Sequence, residues 1–278
     1  MICNRSLHRA KTWTFLLLLL SAVLNLLFVG CSSTGPSAPS ASSAATNKLQ
    51  ATVGTNAPLA GPITERPDIK DILQAAADKP PAPQEGADWV PLFDGKSLKG
   101  WKQTDFAGHG SASCERGMII LETGAPFSGL NWTDNIPRIN YEVSLEAMRV
   151  SGSDFFCGLT VPVKNSCCSL IVGGWGGSLV GVSSLDGMDA SENETAKFMN
   201  FENGRWYRIR LRVTDDRIEA WIDNEKLVNV VTTDRRISVR AGEIEMSQPF
   251  GICCWQTTTA LREIKMSRVG EPAGPAKR

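Results

Sequence analysis

Histidine is almost missing: among 278 residues there are 2, His8 and His109. A site with several histidine ligands therefore cannot form, and any Ser-His-Asp triad beyond the N-terminal segment has only His109 to use. Net charge is missing as well, since Lys+Arg 29 match Asp+Glu 29. Such a balance gives no field for a polyanion, which argues against nucleic acid as a partner. No Cys-x-x-Cys spacing occurs, which disfavours a zinc module. Helical periodicity is nearly absent after residue 88, so a parallel α/β sheet is not expected. The apolar run over 13–28 is short for a permanent span, which needs ~20 residues.

What is present at the N-terminus has the build of an export signal, with Arg5, Arg9 and Lys11 ahead of that run and Gly30 before Cys31 at its end. Leu27-Phe28-Val29-Gly30-Cys31 resembles a bacterial lipobox, with Phe28 where Leu is usual. The resemblance implies cleavage before Cys31, acylation of its thiol and amine, and a stable membrane anchor. Ser32 in place of Asp implies, on the same resemblance, the outer membrane of a bacterial cell envelope. Residues 31–87 are rich in Ser, Ala, Pro, Thr and Gly and poor in aromatics, so they are expected to form a flexible spacer. Inside it, Ile69, Ile72, Leu73 and Ala76 recur at helical spacing before Pro80-Pro81, which predicts a short amphipathic helix over 68–77, marginal by itself. The expected division is a signal at 1–30, a spacer at 31–87, one domain at 88–269 and a tail at 270–278.

Within 88–269 the pattern is that of strands. Residues 141–147 and 208–213 alternate strictly, as half-buried strands must. After a turn at Thr214-Asp215-Asp216 come 218–222 and 227–231, completing an antiparallel meander. Further strands are expected near 118–122, 155–161, 169–172, 179–182, 250–255 and 261–267. Many short strands without intervening helices predict an all-β fold, a two-sheet antiparallel β-sandwich. Of 8 cysteines, six lie in this part: Cys114, Cys157, Cys167, Cys168, Cys253 and Cys254. In an oxidising compartment they allow three disulfides, and as buried thiols they serve equally well as small apolar residues. Cys167 and Cys168 must face opposite ways on a strand, as must Cys253 and Cys254.

The segment Leu92-Phe93-Asp94-Gly95-Lys96-Ser97-Leu98-Lys99-Gly100-Trp101 opens this domain with a recognisable signature. It resembles the 3-keto-disaccharide hydrolase domain, and Gly204-Arg205-Trp206-Tyr207-Arg208-Ile209 and Phe250-Gly251-Ile252 match it further on. The resemblance covers about the whole of 88–269. It implies a concanavalin A-like jelly roll, attack on glycosides oxidised to 3-keto sugars, and a divalent metal such as Ca or Mn. The chain departs from the family where an Asn-Ser-Gly segment and a Glu-x-Gln strand are usual, at Ser153-Asp154-Phe155 and around Ser169-Leu170-Ile171.

Carboxylates are the natural agents for such chemistry, because a 3-keto group acidifies the C2 proton and elimination then needs a base and an oxyanion stabiliser. Glu146 is the first catalytic candidate, since the resemblance puts it at a family strand acid. By alternation alone it shares a solvated sheet face with Glu142. Asp154 is the second, with turn capping as its commoner use. His109, in Gly108-His109-Gly110, is the third, against an ordinary exposed loop histidine. Trp175, between Gly173-Gly174 and Gly176-Gly177, is the leading sugar platform, against a core tryptophan beside a bulge. Trp132 is a weaker platform, and Arg262 matches the family's C-terminal arginine. Trp206, Trp221 and Trp255 are expected in the core. Arg208, Arg210 and Arg212 form a row expected to pair with Glu219 and Glu225. Two functions fit these residues, cleavage of 3-keto glycosides and sugar binding without catalysis. Cleavage is preferred on the whole-domain resemblance, with carbohydrate as the partner in either case.

Overall fold

Alternating side chains can be buried only if the strands stack as layers, and that is what the chain does. The computed structural model describes residues 68–83 and 88–270. The expected signal, Cys31, most of the spacer and all but the first residue of the tail lie outside the described residues.

In chain order the strands begin as β1 (Val90–Pro91), β2 (Trp101–Gln103), β3 (Ala112–Glu115), β4 (Met118–Leu121) and β5 (Phe127–Trp132). Next come β6 (Tyr141–Ser151), β7 (Cys157–Val163), β8 (Ser166–Gly173), β9 (Leu179–Ser183) and β10 (Lys197–Phe198). The chain closes with β11 (Trp206–Val213), β12 (Arg217–Ile222), β13 (Glu225–Val231), β14 (Gly251–Trp255) and β15 (Thr258–Arg268). One sheet has eight strands in the order β13-β12-β11-β6-β15-β4-β3, with β1 added alongside β15. The other has seven, in the order β10-β9-β8-β7-β14-β5-β2. All pairings are antiparallel, so the molecule is an all-β, two-sheet jelly-roll sandwich.

The main core lies between the sheets. Tyr141, Val143, Leu145 and Ala147 of β6 face Leu159, Val161, Leu170 and Val172 of β7 and β8. Tyr141 is completely enclosed, and its hydroxyl donates to the Pro162 carbonyl at 2.6 Å, which satisfies the one polar atom it buries. The six cysteines of the described residues are all free thiols. Alternation separates the neighbours as expected: Cys168 and Cys254 join the inter-sheet core, while Cys167 and Cys253 join a second cluster on the other face.

Part of the outer face of each sheet is covered, which single-strand periodicity does not anticipate. On the seven-stranded sheet the cover comes from 233–250, whose Val239 and Ile244 pack on Phe127, Ile171 and Cys253. Arg235 pins that crossing segment to Asp186 and Glu194, and Arg240 pairs with Asp189 at 2.6 Å. On the eight-stranded sheet the cover is a strap formed by 68–83, with α1 (Ile69–Ala77) at its start. Asp68 caps this helix through Lys70 N, and Ile72, Leu73 and Ala76 bury against Met118, Ile120, Met148 and Ala260. The spacer expectation thus fails for 68–83: a helix too short to persist in water is held by tertiary packing of its apolar side. Glu142 and Glu146, expected on a solvated face, are both buried, Glu146 beneath the strap, where it accepts from Ala82 N, and Glu142 among the arginines of β11. Glu142 takes Arg210 and Arg212 at 2.7 Å each, so the arginine row pairs mainly there. Arg212 also lies 3.9 Å from Glu219, while Arg208 donates to Asn224.

The signature Leu92 to Trp101 is structural. Leu92 and Phe93 enter the main core, and the Trp101 indole donates to the Leu92 carbonyl at 2.8 Å. Asp94 accepts from Lys96 N, Ser97 N and Ser97 Oγ, which closes the turn and holds its carboxyl below the usual carboxylate range.

Candidate functional site

A cleft of about 420 Å³ opens on the outer face of the seven-stranded sheet, between that sheet and the crossing segment. Its floor is aromatic. Phe127 meets Trp255 edge-on at 4.6 Å between ring centroids, and Phe155 lies 6.1 Å from Phe127 and 6.4 Å from Trp255. Strand parity explains the floor: in Gly251-Ile252-Cys253-Cys254-Trp255 the odd positions face outward and the even ones face the inter-sheet core. Trp255, expected in the core, therefore lines the cleft.

Trp175 stands at the rim, 44% exposed. It belongs to a four-residue helical turn, Gly174–Gly177, in which Trp175 has φ 50 and Gly176 φ 85. Gly173 (φ 80) and Gly177 (φ 107) flank it in the same left-handed region. A Cβ on Gly177 would meet Ser153 O at 2.6 Å, so the glycine is required for the turn to close. Asp154 holds the turn from beside it, accepting from Phe155 N at 2.7 Å and Gly176 N at 3.0 Å. Arg149, a residue the sequence did not single out, ties the neighbouring loops together. It donates to Asn203 Oδ1 and Phe201 O at 2.6 Å each and reaches Asp154 O and Gly177 O at 3.4 Å. Its burial pulls the guanidinium below its ordinary pKa.

The far wall is Arg240, Ala241, Gly242, Glu243 and Ile244. The Arg240 guanidinium sits 5.8 Å from the Trp175 ring centroid and also pairs with Asp189, whose other oxygen accepts from Ser183. The cleft therefore combines an aromatic floor, one exposed indole and a charged rim. No step of periodicity reveals Arg240 and Glu243, because 233–250 has neither strand nor helix alternation.

The sequence-predicted residues separate into four places. Asp154 and Trp175 come together in the cleft. Glu146 and Arg262 pair at 2.6 Å beneath the strap, on the other sheet, and do not reach it. Trp132 packs edge-on against Trp101 at 5.2 Å and lines a separate recess of about 370 Å³ beside the signature turn. His109 is an exposed loop residue whose Nδ1 lies 2.7 Å from Gln103 Nε2. Among the described residues no three His, Cys, Asp or Glu side chains come together as ligands of a metal ion. Those side chains therefore do not by themselves form a carboxylate cage of the kind a resident Ca or Mn ion would use.

No curated protein matches the chain. Solved structures that resemble it share little sequence. One, assigned as a glycosyl hydrolase from Parabacteroides distasonis, is 14% identical with a TM-score of 0.42, covering 66% of this chain and 94% of its own. The carbohydrate binding module CBM66 from Bacillus subtilis is 12% identical, TM-score 0.41, covering 60% and 95%. The Bacillus licheniformis beta-glucanase is 9% identical, TM-score 0.43, covering 66% and 99%. A family model for the 3-keto-alpha-glucoside-1,2-lyase-like domain matches residues 88–267. That match spans the sandwich from the signature turn to β15, and the chain belongs to the family of 3-keto-alpha-glucoside-1,2-lyase-like domains.

Proposed function

We propose that the cleft beside Trp175 binds a carbohydrate, with the indole as the surface on which one sugar ring stacks. The observation that carries this is Trp175 itself, a large aromatic side chain left exposed, on a backbone at positive φ, over an aromatic floor. A residue in that region is retained only where its surroundings over-determine it, here through Asp154 and Gly177. Sugars offer apolar C–H faces ringed by hydroxyls, so a flat aromatic edged with charged hydrogen-bonding groups suits them. Arg240, Asp189 and Glu243 supply that edge. Calorimetric titration of the chain with trehalose and with 3-keto-trehalose tests the reading. Saturable binding weakened by Trp175→Ala supports it, and affinity indifferent to that change removes it.

Family membership and Glu243 favour a second reading, cleavage of 3-keto glycosides. Glu243 makes no hydrogen bond or ion pair with another described side chain and lines the same cleft as Arg240. In an elimination, Glu243 would take the C2 proton, and the electron pair would move onto the C3 ketone oxygen, balanced by Arg240. The enolate then reforms the ketone, makes the C1–C2 double bond and expels the aglycone oxygen from C1, which takes a proton from solvent. Release of glucose from 3-keto-trehalose, abolished by Glu243→Gln, is the expected result. Running it with and without EDTA tests the metal dependence that the resemblance implies. Binding without release would leave the sugar-binding function alone.

From the sequence we also propose that the chain is exported and held at the outer membrane by lipid on Cys31. Incorporation of labelled palmitate, lost on Cys31→Ala, is the test.

A further inference from the structure

The cleft beside Trp175 has two unlike parts. Its rim carries the charge, where Arg240, Asp189 and Glu243 stand with the exposed indole. Its floor carries none. Phe127, Phe155, Ile171, Ile244 and Trp255 line it, and the Trp255 N–H is the single hydrogen-bonding group among their side chains. Phe106 stacks behind Phe127 at 4.9 Å between ring centroids and is itself buried, so close packing backs the floor. The other polar lining is engaged within the protein. Asp154 accepts from Phe155 N with one oxygen and from Gly176 N with the other, and Ser183 donates to Asp189, which also accepts from Ala190 N at 2.8 Å.

We infer, on the sugar-binding reading of this cleft, that its ligand is a glycoside with an aromatic aglycone: the sugar stacks on Trp175 at the rim and the aglycone ring lies on the floor. A second sugar ring laid there would give up the water on its hydroxyls and find one donor in return. A flat aromatic ring has no such loss and gains edge and face contacts with Phe127, Trp255 and Phe155, which lie 4.6, 6.1 and 6.4 Å from one another. An aliphatic aglycone of like size gains the burial without the ring contacts, and has rotatable bonds to immobilise. At about 420 Å³ the cleft is in the size range of sites that enclose a drug-sized ligand.

The test is calorimetric titration of the full chain, and of its Trp175→Ala and Trp255→Leu variants, with phenyl α-glucoside, hexyl α-glucoside and trehalose. Trp255 is only partly buried, so leucine in its place keeps the floor apolar, and the unsubstituted chain gives the order of ligands without any variant. Phenyl α-glucoside is expected to bind at least about tenfold more tightly than trehalose and about fivefold more tightly than hexyl α-glucoside. Trp255→Leu should weaken phenyl α-glucoside about tenfold and leave trehalose within about twofold, whereas Trp175→Ala should weaken both. Trehalose or hexyl α-glucoside bound as tightly as the phenyl glucoside, or a phenyl preference that survives Trp255→Leu, overturns the inference and leaves the sugar site standing so long as Trp175→Ala weakens binding. Binding indifferent to Trp175→Ala removes both.

Discussion

At the scale of single residues, two glycines of the signature turn separate backbone strain from steric contact. Gly95 (φ +73) has open space where a Cβ would go, whereas Gly100 (φ +83) would put one 2.6 Å from Trp132 Cζ3. Gly95→Ala should cost only the left-handed penalty, roughly 1 kcal/mol. Gly100→Ala should cost about 2–3 kcal/mol, because the buried Trp101–Trp132 contact must also shift. Thermal unfolding should register these as falls of about 2–4 °C and about 4–12 °C. In the cleft, Trp175→Ala is expected to weaken sugar affinity about tenfold with little change in melting temperature, since the ring packs on solvent and not on core. Among the candidate residues, the sequence disclosed Trp175 and Asp154 because glycine flanks and a turn-forming Asp are local signals. The burial of Glu146 was not legible, because its partners, Arg262 and the strap, come from distant parts of the chain. Arg149, Arg240 and Glu243 had no local signal at all.

At the scale of elements, β6 is covered on both faces, by the opposite sheet on one and by α1 and its neighbours on the other. The strap has only one buried residue in its helix. Native-state hydrogen exchange should therefore leave the β6 amides among the slowest and those of α1 far faster, opening without global unfolding. Equal protection of α1 and β6 would mean that the strap unfolds only with the sandwich. The meander β11-β12-β13 was legible almost to the residue, since its outer face is partly wet and burial alternates strictly in β11 and β12. The pattern places β7 two residues early, at 155–161, and draws β8 short, at 169–172, because both faces are covered and polarity no longer marks the phase. Strand β5, Phe-Ser-Gly-Leu-Asn-Trp, was missed: Gly129 sits where a Cβ would press on Cys253 at 2.9 Å, and glycine in a strand reads as a loop. Strands β2 and β10 have three and two residues, too few for any period.

For the molecule as a whole, the enclosed thiols predict how stability responds to alkali. Burial pushes Cys168 and Cys253 from 9.0 up to about 12, and raises Cys157 and Cys254 as well. The folded state thus keeps four protons that the unfolded chain gives up once pH passes 9.0. Unfolding becomes more favourable with rising pH, and the contribution is complete below that value and lost above it. Between about pH 9 and 12 each thiol should remove ~1.4 kcal/mol per pH unit. Urea unfolding midpoints should fall steeply over that interval, and Cys168→Ala should make the fall shallower. A midpoint flat from pH 9 to 11 would mean that these sulfurs are not thiols in the folded protein. The sheet borders have a consequence of another kind. The seven-stranded sheet ends in β10 and β2, so an incoming chain finds scarcely one turn of the ladder on which to add itself. Fibre growth by templating on that rim is starved of hydrogen bonds, which leaves the seven-residue β13 border of the other sheet as the longer ladder for a strand to join.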